Sequence, residues 1–139
     1  MADLTVLIRL HKHELDEKRL ALGRLYAEQA SLERERRELE RTFAQEKIAM
    51  ETTRDIHFTL AKYVEKVRLQ MAELDAREAE LHKKISVAKD SMMATFSELK
   101  KYEMTQQERD RLAAEENLIR ESKEMDAIGL ENFRRKEEE

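Results

Sequence analysis

Four histidines, five serines and thirty-one carboxylates are the side chains with which this 139-residue chain could bind a metal or do covalent chemistry. His11 and His13 are two apart, so on a helix they point to different faces and cannot share a metal. None of the four histidines has a glutamate three positions before it, the Glu-x-x-His spacing by which helix bundles hold di-iron. Glu78 and His82 are four apart and can touch on one helix face, but one pair does not make a site. No serine lies in a G-x-S-x-G elbow, there is no cysteine nucleophile, and two glycines cannot build a phosphate-cradling G-x-x-x-x-G-K-S/T loop or G-x-G-x-x-G turn. The expectation is a protein that is not an enzyme, with no catalytic residues, no cofactor and no metal.

The elements that carry these residues are legible from composition. Charged residues make up 42% of the chain and aromatics 5%, with no proline. Ala, Glu, Lys, Leu and Arg dominate, as in long helices and coiled coils, and nothing along the chain forbids a helix. The 27 basic and 31 acidic residues interleave to a net charge of −4, so there is no basic face and no nucleic-acid partner is expected. The absence of cysteine excludes a disulfide framework and thiolate metal sites. Met1, Ala2, Asp3 and Leu4 carry no basic leader region, and no stretch reaches the length of a membrane span. These features predict a soluble, cytoplasmic protein without direct membrane insertion.

Two seams of seven-residue steps organise the first half of the chain. One runs Leu4, His11, Lys18, Leu25, Leu32, Leu39, Glu46; the other, offset by four, runs Ile8, Leu15, Leu22, Gln29, Arg36, Phe43, Met50. The second half repeats the pattern as Leu60, Val67, Leu74, Leu81, Ala88, Thr95, Tyr102 and Val64, Met71, Glu78, Ile85, Met92, Leu99. Alternating steps of three and four are those of a heptad seam. Charge clusters such as residues 33–38 fill the solvated flanks.

The simplest partner for each seam is the other. Between them lie Glu51 to His57, with β-branched and Asx residues in place of helix formers; Thr52 and Asp55 fit an S/T-x-x-D/E cap ahead of the second helix. In an antiparallel pair the numbers of opposed residues total a constant. A total of 110 centres the hairpin on Asp55 and pairs Met50 with Leu60, Phe43 with Val67, Leu39 with Met71, Leu25 with Ile85 and Leu4 with Gln106. A total of 103 is the second choice. The prediction is an all-α protein: one antiparallel two-helix coiled-coil hairpin over residues 1–139, helix 1 about 4–51, turn about 52–56, helix 2 about 57–134. An unfolded-back continuous helix whose seams serve a dimer is the alternative.

At 1.5 Å per residue, helix 1 is roughly 70 Å long and helix 2 roughly 120 Å. Helix 1 ends opposite Gln106, and Arg109, Glu116, Arg120 and Lys123 occupy the seam positions beyond Tyr102. Residues 107–139 therefore overhang, with Leu112, Leu118, Ile119, Met125, Ile128, Leu130 and Phe133 unburied. Gly23 costs helix 1 about 1 kcal/mol against alanine, by either a close helix approach or a tolerant solvent face. Met50, Met71 and Met92 fall on the seam; Met93 and Met104 fall off it.

Residues 124–135, from Glu124-Met125-Asp126 through Ile128-Gly129-Leu130-Glu131-Asn132-Phe133 to Arg134-Arg135, resemble the C-terminal signature of the flagellar FliJ family. The layout is similar too: Leu/Arg/Glu heptads, a shorter first helix, a longer second one and a charged tail, Lys136 to Glu139. Gly129 departs from the alanine more usual in that family. The resemblance implies a component of the flagellar type III protein-export apparatus, cytoplasmic and peripherally associated with the inner membrane. Such a stalk inserts into the hexameric ring of the export ATPase, promotes its assembly and activity, and reaches toward the membrane export-gate protein; a role with export chaperones is also assigned to the family.

Carried onto this chain, the ring contact would use Leu4, Ile8, Leu112, Ile119, Met125, Asp126, Ile128, Leu130, Phe133 and Arg134. The gate-facing tip would use Phe43, Met50, Ile56, Phe58 and Tyr63. Two other classes remain open at this point: a passive homodimeric spacer or scaffold, and an export chaperone for filament-type substrates.

Overall fold

A computed structural model describes residues 4–52 and 57–138, the side chains of His57 and Phe58 excepted. The chain is all-α: α1 spans Thr5–Glu51 and α2 spans His57–Glu138. Both sequences are dense in strong helix formers, and ion pairs one turn apart, such as Lys18 with Glu14 at 3.2 Å, add modest local support. The expected turn residues 53–56, Asp55 and Ile56 among them, lie outside the described residues.

Thr52 finishes α1: its amide donates to the Ile48 carbonyl at 3.3 Å and its Oγ1 to the Ala49 carbonyl at 2.8 Å. The last carbonyls of a helix have no intrahelical donor, and the hydroxyl serves one of them. Asp55, the other member of the expected cap, lies outside the described residues. At the other end α2 runs on past residue 134 to Glu138. Glu131 pairs there with Arg134 and Arg135, and Arg135 and Lys136 place positive charge in the last turn, where the helix dipole favours it.

The described residues form two compact units. In His13–Thr95 the core is Leu22, Leu32, Leu74, Leu81 and Ile85, with Leu25, Leu39, Met71, Ala88 and Met92 packed against it. All ten are seam residues. Leu32 is the most enclosed, at 2% exposure. Full burial of such a side chain contributes about 1.5–3 kcal/mol, so a seam only two helices wide must recruit every heptad. Cross-helix partners fall along α2 as they rise along α1: Lys18 with Thr95, Glu35 with Arg77, Phe43 with Tyr63. That order is the one an antiparallel pair requires.

The second unit joins Met1–Lys12 to Phe96–Glu139. Leu4 and Leu99 are buried, the Leu4 amide donates to Gln106 Oε1 at 3.3 Å, and the His11 and Tyr102 rings stack at 5.1 Å and 14°. Leu4 and Gln106 total 110. Within the two units the other cross-helix pairs range from 106 for Phe43 with Tyr63 to 115 for Lys12 with Glu103, about one helical turn either side. A total of 103 would instead set Leu4 against Leu99.

Every seam position from Leu4 to Met50 except Glu46, and every one from Leu60 to Tyr102, is buried or half-buried. Met93 and Met104 are exposed, as their off-seam positions predict. A Cβ on Gly23 would meet nothing within 4 Å, so the glycine lies on a tolerant solvent face and marks no close helix approach.

Candidate partner-docking site

From residue 110 to residue 138 every described side chain is exposed. Nothing in the unit covers this arm of α2, so it keeps its helix through propensity and local pairs alone. Arg111 binds Glu108 at 2.7 Å and Glu115 at 3.3 Å, and Gln106 Nε2 donates to Asp110 at 2.9 Å. The hydrogen bond from Arg111, helped by its charge, holds the Glu108 carboxyl below its ordinary value, and Glu108 raises Arg111 in return.

Apart from Leu130, which falls on a seam step, most of the arm's large apolar residues do not extend the seam. Leu99, Tyr102 and Gln106 lie on the seam line, whose continuation through Glu116, Arg120, Lys123 and Arg134 is mostly charged. Leu112, Leu118, Ile119, Met125 and Phe133 instead recur at spacings of six to eight. At 100° per residue they share a stripe turned away from that line by roughly a third of a turn or more. Met125 is the most open of the five, at 70% exposure, and Met104 precedes them on the same side. No described residue buries this stripe, and an apolar stripe of this kind is a docking face for a partner surface.

The residues expected at a ring contact divide by placement. Leu112, Ile119, Met125, Asp126, Ile128, Leu130 and Phe133 are all exposed on the arm, and Arg134 is exposed beside Glu131 at 3.6 Å. Leu4 is buried and Ile8 half-buried within the paired part of the same unit, where Leu4 already contacts Gln106. Of the residues expected at the tip, Phe43 and Tyr63 stack on each other at 6.0 Å and 19°, and Met50 is half-buried. Ile56 and the Phe58 side chain lie outside the described residues. The off-seam Ile48, exposed close to the end of α1, is a tip residue that heptad reasoning passes over.

Sequence reasoning also passed over two polar layers inside the seam. Arg36 donates through Nε to Glu78 at 3.1 Å and through Nη2 to Asp75. Those two hydrogen bonds, Glu78 first, raise the guanidinium well above its ordinary value. Farther along, Lys18 donates to Thr95 Oγ1 and pairs with Glu14 at 3.2 Å, while Thr95, 5% exposed, donates to the Ser91 carbonyl at 3.2 Å. The signal was present: Arg36, Glu78, Lys18 and Thr95 are among the polar members of the four seam series, and the numbers of the two pairs total 114 and 113.

An open groove of about 490 Å³ is lined by Ala21, Val87, Ala88 and Ser91 with Lys18, Lys83, Lys84 and Glu80. Glu78 is engaged by Arg36, and among the described residues no three of His, Asp and Glu gather where they could hold a metal ion. No helix is long and apolar enough to cross a membrane among those residues. The arrangement suits protein–protein contact along helix faces. No protein-family model, no curated protein and no solved structure matches the chain.

Proposed function

We propose that this chain is a non-enzymatic component of flagellar-type protein export, acting as a stalk that docks its arm into the ring of an export ATPase. The observation that carries this reading is the uncovered arm, residues 110–138, with its apolar stripe. The signature at Glu124 to Arg135 lies within that arm and directs the reading to the FliJ type. In this role the chain promotes assembly and activity of the ring, and its other end reaches the export-gate protein at the inner membrane. The mechanism is allosteric: contacts stronger in one ring state than another shift the ring's populations, and no bond is made or broken by this chain.

A passive homodimeric spacer fits less well, because of the polar layers. In a parallel dimer Arg36 would face Arg36 and Glu78 would face Glu78, like charges inside a seam, whereas within one chain they are complementary. The test is a pull-down from a flagellated bacterial lysate scored for the export ATPase, followed by ATPase assays with the full chain and a chain lacking residues 107–139. The full chain should stimulate hydrolysis; the truncated one should not, while its melt stays nearly unchanged. Equal stimulation by both, or no capture of the ATPase, would overturn the proposal.

A further inference from the structure

We propose that two copies of this chain pair arm to arm, antiparallel, through the stripe of Leu112, Leu118, Ile119, Met125 and Phe133. The pairing covers this face when no other partner does. It leaves the α1–α2 seam within each chain, so it is a different dimer from the spacer rejected above.

Three properties of the arm select a second copy as the occupant. The first is charge. At and beside the stripe, the first half carries Glu108, Glu115, Glu116 and Glu121 against Arg109 and Arg111, a net of −2. On this face the second half carries Lys123, Arg134 and Lys136 against Asp126 and Glu137, a net of +1. A parallel pair opposes the acidic halves; an antiparallel pair sets each against a basic end. Centred on Ser122, it lays Ile119 on Met125 of the second copy, Leu112 beside Phe133 and Glu108 opposite Lys136.

The second property is access. A Cβ on Gly129 would meet nothing within 4 Å, and Gly129 and Ser122 lie between the stripe's two rows. A second helix can approach closely there, with large side chains of one copy over small ones of the other.

Area is the third. At roughly 100 Å² of exposed surface each, five side chains from two copies bring roughly 1,000 Å² together, the low end of specific interfaces. An anionic lipid surface is a poorer occupant, since residues 107–138 carry ten acids and seven bases.

The test uses the full chain and its lack of cysteine. Light scattering at tens of micromolar should give twice the chain mass, falling to the single-chain mass in Leu118→Glu/Met125→Glu, whose hairpin melt should not move. Under mild oxidation Ser122→Cys should cross-link with itself. Leu112→Cys and Phe133→Cys should each stay uncross-linked alone and cross-link when mixed. A single-chain mass for the unaltered protein, self-cross-linking at all three positions, or a dimer that survives the double glutamate variant would each overturn the proposal. None of these outcomes depends on capture of an ATPase, so this inference and the proposed function fail separately.

Discussion

Arg36 on α1 and Glu78 on α2, 42 positions apart, are joined by a 3.1 Å hydrogen bond inside the seam, and the same guanidinium reaches Asp75. The fork sits where an unbroken apolar seam would tolerate slippage by a heptad, and it is satisfied only near the 110 register. Reversing its centre tests that role. Arg36→Glu brings three carboxylates together and should lower the thermal midpoint clearly. Adding Glu78→Arg should recover part of the loss, because one complementary pair returns with the sign exchanged. Melts followed by circular dichroism at 222 nm decide this; a double variant no better than Arg36→Glu would show that the pair does not act as a unit.

The Lys18–Thr95 layer predicts a trade in the opposite direction. Polar groups taken from water into a seam recover little net energy, and well-packed apolar replacements are often neutral or better. Lys18→Leu with Thr95→Val should therefore raise stability by on the order of 1 kcal/mol. Its cost should appear in specificity, as larger species in light scattering under conditions where the unaltered chain has one mass. A destabilised double variant would mean that the layer contributes net stability as well as register.

Much of this fold was open to reading because one physical rule repeats. Leu15 and Leu22 in the first half and Leu74 and Leu81 in the second recur at steps of seven, no proline breaks the pattern, and a two-helix seam has no other way to bury them. The register also followed, since charged residues take over the seam steps of α2 just beyond Tyr102, close to where Gln106 meets Leu4. Side-chain competition was harder to read. Arg36 reads as a defect in a heptad list until the opposite helix supplies Glu78 and Asp75. For the arm, composition shows that apolar residues go unburied, but the face they share is clear only against the seam line fixed by Leu99, Tyr102 and Gln106.

Core and arm should respond differently to the same substitution. Leu32 is nearly enclosed, so Leu32→Ala should cost about 2–5 kcal/mol. Leu118 is open, so Leu118→Ala should change the hairpin's stability by less than about 0.5 kcal/mol. In chain dilute enough to keep the arms apart, hydrogen exchange should follow the same division, with amides near Leu74 to Ile85 slow and those beyond residue 110 fast, because only the former are closed by tertiary packing. Slow exchange throughout the arm in the purified chain would point to a covered arm, as in the dimer.

Both glycines lie in open helix, so replacing either removes backbone freedom from the unfolded chain without a clash. Gly23→Ala should raise the midpoint of the hairpin by the equivalent of about 0.5–1 kcal/mol. Gly129→Ala should raise helicity at 222 nm with little change in that midpoint, because the arm frays independently of the paired region. The same substitution should weaken arm-to-arm pairing, since its methyl enters the face where the second helix approaches. More helix with less dimer is a combination that propensity alone does not produce.

The arm's helicity should also depend on pH through Glu108. Its carboxyl is held below the ordinary glutamate value of 4.5 by the hydrogen bond from Arg111 and then by that residue's charge. A group whose folded value is depressed contributes stability that is complete above its unfolded value and lost as pH falls through the folded one. The ellipticity of the arm should thus hold steady down to the ordinary carboxylate range and decline below it. Exposure to solvent keeps the effect small, so it is best read as a difference between the full chain and a chain lacking residues 107–139, in low salt. Arg111→Gln removes the charge and exchanges the guanidinium for a shorter, neutral amide, so it should flatten this acid decline, and added salt should shrink the gap between Arg111→Gln and the unaltered arm. An acid decline that Arg111→Gln leaves in place would assign it to the arm's other carboxylates.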